Sequence, residues 1–588
     1  MRTKNRSPKG TPRASTRLPS LMAAAGCWAL LAGLATGMEP SAELGEGPVL
    51  SGDASPSSDE VQLPWGAREV EHVWNRAGFG IRPGNIGRWV KAGPEALVDH
   101  LLAPRPVRGQ ELSPPYVYRG PRIDPVEYAQ RTIDERREYR SAIIKTYALE
   151  FARLRADWVR RMVLGEDPLR DRLTLFWHGV FTTSYENVRE PDNIARQHQT
   201  LRRGALGSYG NLLRSMLRDP AMLSYLNNDQ NTKGKPNENL AREVMELFSL
   251  GEGSGYTEAD VQEAARALTG AGVVRDGEEA TYRFRDSQHD DGAKSILGVK
   301  GNHGPQDLAT ILLGRPECAE FIAGSLIEYM EGVYPEPARL AAYAGRLRAT
   351  DYDTAHFVRT LLLDPAFYRP EVVGARIASP IDYVVGANLR LAGRVPVKFL
   401  VESASSLGQD LFQPPNVKGW EEGIAWVSTA SFMLRGNVAG AMLGRVHGKA
   451  LRADTQQLME SMSEDPAMAE MSADEMMAMG KAQAKRDQMS RLTRILRDAK
   501  FKPRKSLYKW LRDRGDLSDA AIVEALAERL LAIEPPTETL FMLEGRLKSL
   551  RKAADQEAAG FLGRTAKSEP VLRQLSHLIL SLPEAQLH

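Results

Sequence analysis

From Val61 to about Arg445 the chain reads as helices separated by proline and glycine, and this punctuation constrains the fold more than any other feature. DPLRDRLTLFWHGVFTTS, LGSYGNLLRSMLRDPAM, PQDLATILLG, CAEFIAGSLIEYM and DTAHFVRTLLLDPAFYRP each carry apolar residues at helical spacing, and each is opened or closed by Asp-Pro or Gly. Proline cannot continue a helix from behind without losing a hydrogen bond. MLRDPAM (216–222), LLLDPAF (361–367) and the looser ILSLPEA (579–585) therefore read as repeated helix-to-helix punctuation, not as a solenoid repeat. Strand signals are sparse; TYRF and SILGVK, either side of a polar turn, suit one small hairpin. The expected fold is mainly α-helical: a multi-helix main domain with at most a small β-hairpin, and a helical C-terminal extension.

At 588 residues the chain is too long for one compact core and suggests two or three units. Its 42% hydrophobic and 26% charged content is that of a folded chain, but the net charge of +2 hides local extremes. Arg2, Lys4, Arg6, Lys9, Arg13 and Arg17 precede an apolar stretch, Leu21 to Gly37, that ends with small side chains at Ala35 and Gly37. Residues 1–37 thus read as a secretory signal, with an uncleaved anchor as the alternative. Residues 38–60 read as a flexible tether, 61–447 as the main helical domain, 448–490 as an acidic Met-rich insertion or linker, and 491–588 as a helical C-terminal region. The expected location is periplasmic or extracellular, with membrane contact only through the signal segment if it stays uncleaved. Cleavage would leave Cys318 alone, which excludes an internal disulfide and a structural Cys/His zinc site.

The Met-rich stretch, 454–479, is open to three readings: a soft-metal tether, a greasy docking surface, or a flexible insertion balanced by the basic run from Lys481 to Arg512. Export argues against a nucleic-acid partner for that basic run.

The densest chemistry lies in YLNNDQNTKGKPNENLAREVMELFSLGEGSGYTEADVQEAARALTG, Tyr225 to Gly270. At 100° per residue a helix over Asn237–Leu250 puts Leu240, Ala241, Val244, Met245, Leu247 and Phe248 on one side. Glu238, Asn239, Arg242, Glu243 and Glu246 fall on the other, so the oxygens of Asn239, Glu243 and Glu246 can converge. Arg242 is placed to pair with Glu238 or Glu246 at i,i+4. The preceding loop has Asp229, Asn231 and Gly234 at calcium-loop positions one, three and six. Lys233 at five and Leu240 at twelve rule out an EF-hand. A solvated helix face with Asx turns explains the same residues without a site.

His178 in LTLFWHGVF belongs to a helix expected to be buried all round, so its imidazole needs a polar partner. FRDSQHDDGAK crowds Asp286, His289, Asp290 and Asp291 at a turn. Together, His178, His289 and Glu243 would make a His/His/carboxylate set suited to one divalent metal ion, zinc, manganese or iron. There is no HExxH, and without a metal Glu243 and Glu246 work as acid and base only if their environments separate their pKa values. LGQDLFQPPNVKGWEEGIAWVSTASFMLR offers Gln409, Gln413, Asn416, Trp420 and Trp426 around a proline-stiffened loop, suited either to a polysaccharide-binding wall or to packing over the core. VEHVWNRAGFG adds His72, Trp74, Asn75 and Arg76 as polar and aromatic candidates. Phosphate-loop, GxSxG and catalytic-cysteine patterns are absent.

HVWNRAGFG (72–80), LTLFWHGVFTTS (173–184), the block 219–270, HDDGAKSILG (289–298), SPIDYVVGANLRLAG (379–393) and LGQDLFQPPNVKGW (407–420) closely resemble a bacterial family, domain of unknown function 1800. The resemblance runs from about His72 to the C-terminus. It implies a mostly helical, often exported protein that commonly occurs beside a second exported protein of a sulfatase-like type. The family offers no established catalytic residues to transfer. The Met-rich insertion departs from its compact pattern, and Ala271 stands where a Trp is expected after ARALTG.

The expected function is a metal-assisted hydrolase acting on an envelope or extracellular polymer. In this reading His178, Glu243 and His289 hold the metal, Glu246 is the base for an attacking water, and Arg242 orients or neutralises. Asn239, Gln413, Asn416 and Trp420 contact substrate. The alternative is a non-enzymatic envelope scaffold or a partner of another exported protein.

Overall fold

The structure is a computed structural model that describes residues 63–103, 125–276, 279–393, 395–445, 506–515, 517–557, 560–563 and 565–588. The segments read as signal, tether and Met-rich insertion lie outside these residues. Val61–His588 forms one compact unit. The structure is 66% helical, with 23 α-helices and two small two-stranded sheets among the described residues. No helix among these residues is long and apolar enough to cross a membrane.

The helices that position the sites follow their sequence signals. α1 (Ala67–Ala77) ends before Gly78. α2 (Ile133–Leu164) begins with a capping box in which Thr132 and Glu135 satisfy each other's backbone amides, and it stops at left-handed Gly165. Prolines open α3 (Pro168–Val180), α4 (Pro191–Gly204), α7 (Pro316–Glu331) and α8 (Pro380–Arg390), as first-turn prolines do. Between α4 and α7 lie α5 (Asn239–Glu243) and α6 (Glu258–Ala267).

Two hydrophobic cores organise the unit. The first draws on residues between Val70 and Tyr368, the second on Ala378 to Ala585 together with Phe79, Phe151, Trp158, Leu175 and their neighbours. α3 lies between them: Leu169, Leu173, Phe176 and Trp177 enter the first core while Leu175 enters the second. That position explains a helix buried all round. The described part of 491–588, the region read from the sequence as a helical C-terminal region, shares the second core with α8 through Leu526, Leu543 and Leu572.

The strand pairing differs from expectation. TYRF lies in β2 (Glu279–Phe284), which pairs antiparallel with β1 (Ala271–Asp276), Ala271 opposite Phe284. SILGVK does not pair with it. It folds on itself as β3 (Lys294–Ile296) and β4 (Val299–Gly301), turning at Leu297 and Gly298, both at positive φ. Each apolar run therefore found a partner next to it in the chain.

Candidate functional site

The helix expected over Asn237–Leu250 is α-helical only from Asn239 to Glu243; Val244–Ser249 winds as a π-helix. Side chains take up carbonyls that the wider turn displaces. Ser249 Oγ donates to the Val244 carbonyl at 2.6 Å, and the Tyr209 hydroxyl donates to that of Phe248. Such π-turns are rare and concentrate at functional sites. The polar face nonetheless assembles largely as expected. Arg242 bonds Glu238 at 3.2 Å and Glu246 at 3.4 Å, and it reaches beyond the helix to Glu258 at 2.7 Å.

Glu243 is placed differently from its neighbours. It is half-buried and enters no ion pair among the described residues. Burial raises its pKa, the Glu246 charge raises it further, and Arg242 and Lys418 pull in the opposite direction. Glu246 is held by Arg242 and by the Tyr256 hydroxyl, whose own pKa is pushed up to about 12 by burial and by Glu246. Tyr225, raised by burial and then by Glu243, closes another side. The result is a carboxyl with a raised pKa beside one bound by an arginine. Asn239 is exposed at the start of the helix, and its backbone N–H donates to Asn237 Oδ1 at 3.0 Å.

The proline-stiffened loop packs against the end of α3. Asn416 Oδ1 accepts from Lys418 N at 2.8 Å, and a β-bridge joins Asn416 to Gly419. Gly419 has φ +90°, and a Cβ there would lie 3.0 Å from the Gly179 carbonyl, so this close approach needs glycine. Asn416 and Lys418 are exposed, Gln413 is partly buried, and Lys418 Nζ stands 3.5 Å from Glu252. The loop thus presents Lys418 to the glutamate helix. Trp420 instead turns inward, its ring 5.4 Å from that of His178.

His178 is 1% exposed, ringed by Trp158, Phe412 and Trp420, and neither ring nitrogen meets a hydrogen-bond partner from another residue. Burial pushes its pKa down to about 4. The polar partner expected for it is not among the described residues. His289 is engaged elsewhere: its Nδ1 lies 2.8 Å from the Thr269 carbonyl and 3.2 Å from the Thr269 hydroxyl. Asp290 binds Arg266 at 2.8 Å and is held at about 2, first by that bond. His178, Glu243 and His289 are not gathered into one group, and no cluster of three or more His, Cys, Asp or Glu able to hold a metal occurs among the described residues.

The oxygen-rich loop before the glutamate helix is a clamp. Asn228 and Asn231 are buried, and Asn228 Nδ2 donates to the Ala271 carbonyl at 2.8 Å. Asn231 Nδ2 donates to the Ala265 carbonyl at 2.9 Å while its Oδ1 accepts from Asn237 N at 3.0 Å. These amides tie the loop to α6 and β1, fixing the entry to the helix. Tyr256 and Lys418 were not singled out by sequence; one follows three glycines and the other sits in a loop read for its aromatics, so no local pattern joins them to Glu243.

The fold and this site define a largely α-helical protein with a carboxyl pair where an α-helix passes into a π-turn. The chain belongs to the family described as proteins of unknown function, DUF1800, which matches residues 72–587. No curated protein and no solved structure matches it.

Proposed function

We propose that this is an exported hydrolase of an envelope or extracellular polymer, working through the Glu243–Glu246 pair. The observation that carries this reading is the unequal environment of the two carboxyls: Glu243 half-buried with a raised pKa, Glu246 bound by Arg242. A carboxyl whose pKa burial raises, beside a second one bound by an arginine, is the equipment of acid–base hydrolysis. Standing on one side of one helix, they resemble a dyad that activates water against a carbonyl more than the opposed pair of a glycosidase. The bond attacked is accordingly an ester or amide. Glu246 takes a proton from the water as its oxygen bonds to the carbonyl carbon, and returns that proton to the leaving alcohol or amine as the ester or amide bond breaks. Glu243, in its protonated form, hydrogen-bonds the carbonyl oxygen as it gains charge. Arg242 orients Glu246, and exposed Lys418 and Asn416 face the polymer. The N-terminal basic and apolar segment supports export.

The test is to incubate the purified chain lacking residues 1–37 with envelope polymers carrying ester and amide links, and to measure released carboxyl groups. Release by the wild type, lost in Glu246→Gln and kept in Glu238→Gln, supports the reading; equal release by wild type and Glu246→Gln overturns it.

One observation favours a second reading, a non-enzymatic partner of another exported protein. The outer half of α2 exposes large apolar side chains, Ile133 at 75%, Ile144 at 67% and Leu149 at 66%. Co-purification of a second exported protein, lost when these three become serine, would carry it.

A further inference from the structure

Arg76, flagged in the HVWNRAGFG segment, lies in α1 with 0% exposure. Its Nη2 donates to the Val372 carbonyl at 2.8 Å, while Nε and Nη1 meet no acceptor. Arg376 is 11% exposed, pairs with Asp382 at 3.1 Å and leaves Nη1 without an acceptor. Arg172, also fully buried, takes Asp382 at 2.6 Å and spends further donors on the Gly78 and Asn75 carbonyls. Asp382 thus pairs with two guanidiniums, while Arg76, repelled by both, has no ion pair among the described residues and feels Asp382 and Glu331 only through space. Glu331 is held by Arg339 through two 2.7 Å bonds. Exposed Glu422 feels Arg376 without pairing with it among the described residues. The imidazoles of His72 and His588, both pushed down to about 3 first by burial, are neutral and add no counter-charge.

An arginine does not shed its proton in a protein. A desolvated guanidinium with one carbonyl acceptor and two vacant donors is strongly unfavourable, and a counter-charge removes that cost. Water can occupy vacant donors but brings no charge.

We propose that this arginine cluster binds a small inorganic anion, which accepts from Arg76 Nε and Nη1 and from Arg376 Nη1 and supplies the counter-charge that Asp382 alone does not. A halide and a compact oxyanion such as phosphate share this chemistry. The site is independent of Glu243 and is built by α1, α3, α8 and the segment around Arg376.

The experiment uses the chain lacking residues 1–37. Sodium bromide or inorganic phosphate is exchanged against sodium gluconate at constant ionic strength, and Tm is followed with anion concentration. A saturable rise of about 2–3 °C at a hundredfold excess over Kd is expected for at least one of the two anions, with the responding anion naming the occupant. The rise should vanish in Arg76→Met. Should that variant fail to fold, Arg376→Met serves in its place, and crystals soaked in bromide give a readout that needs no variant. Anomalous density within hydrogen-bond reach of Arg76 Nε, or of phosphate in its place, supports the site. No saturable response to either anion, or an equal response in wild type and variant, means that water fills the cluster and overturns the proposal.

Discussion

Replacing Asp382 by Asn tests how the second core tolerates its buried charges. The Asp382 carboxylate is fully buried and meets Arg172 at 2.6 Å and Arg376 at 3.1 Å. Burial alone would raise its pKa, but Arg172, Arg376 and His588 override that and hold it well below the usual carboxylate range. Asparagine keeps the shape and removes the charge, leaving buried guanidiniums without their carboxylate. Breaking one side of such a pair costs about 3–5 kcal/mol. With an unfolding entropy of about 2.1 cal/mol/K per residue over roughly 500 residues, this lowers Tm by about 3–5 °C at pH 7. A depressed carboxylate contributes stability that is present above its unfolded value near 3.9 and is lost as pH falls through the folded value. The gap between wild type and Asp382→Asn should therefore persist from pH 7 to pH 5 and narrow only in stronger acid. Calorimetry or intrinsic fluorescence reads it directly. A Tm within 1 °C of wild type at pH 7 would refute the reasoning, because the arginines would then be neutralised by something else.

His178→Phe should cost less than about 1 kcal/mol in denaturant unfolding, since it removes an imidazole with two unpartnered nitrogens from an aromatic cage. A loss above 2 kcal/mol would mean that a bound group is missing from the account. Burial holds this imidazole at about 4, whereas the unfolded chain takes up its proton near 6.5. Wild type thus loses up to about 1.4 kcal/mol per pH unit on this account as pH falls from 6.5 towards 4, and His178→Phe should show a shallower decline in Tm. Gly270→Ala should destabilise by at least about 2 kcal/mol, because φ is +80° and the new Cβ would stand 2.7 Å from the Arg285 carbonyl. Gly255→Ala, at φ +88° with open space around it, should cost about 1 kcal/mol; equal losses at the two positions would refute the steric part.

What the chain revealed in advance was local. Helix punctuation placed α3 and α7, and i,i+4 spacing placed Arg242 against Glu238 and Glu246. The burial of His178 followed from a helix apolar on every side. The π-turn at Val244–Ser249 was not legible, because the helical repeat fits the same residues and the hydroxyl that takes the Phe248 carbonyl comes from distant Tyr209. The metal reading joined His178, Glu243 and His289 across segments whose meeting no spacing predicts. His289 had a nearer partner in Thr269. The arginine cluster escaped for the same reason. Arg76, Arg172, Arg376 and Asp382 come from four segments, and Asp382 is disguised as the capping partner of Ser379. A signal was present in DPLRDR: Arg170, Asp171 and Arg172 are charged residues in a helix that has no wet face, Asp167 stands just before it, and each needs a counter-charge.

The most direct test of the account is the titration of Glu243 itself, by infrared difference spectroscopy of the carboxyl band between wild type and Glu243→Gln. The account predicts a midpoint above the ordinary 4.5, lowered by Glu246→Gln and raised by Lys418→Met. A midpoint at or below 4.5, indifferent to both substitutions, would contradict it.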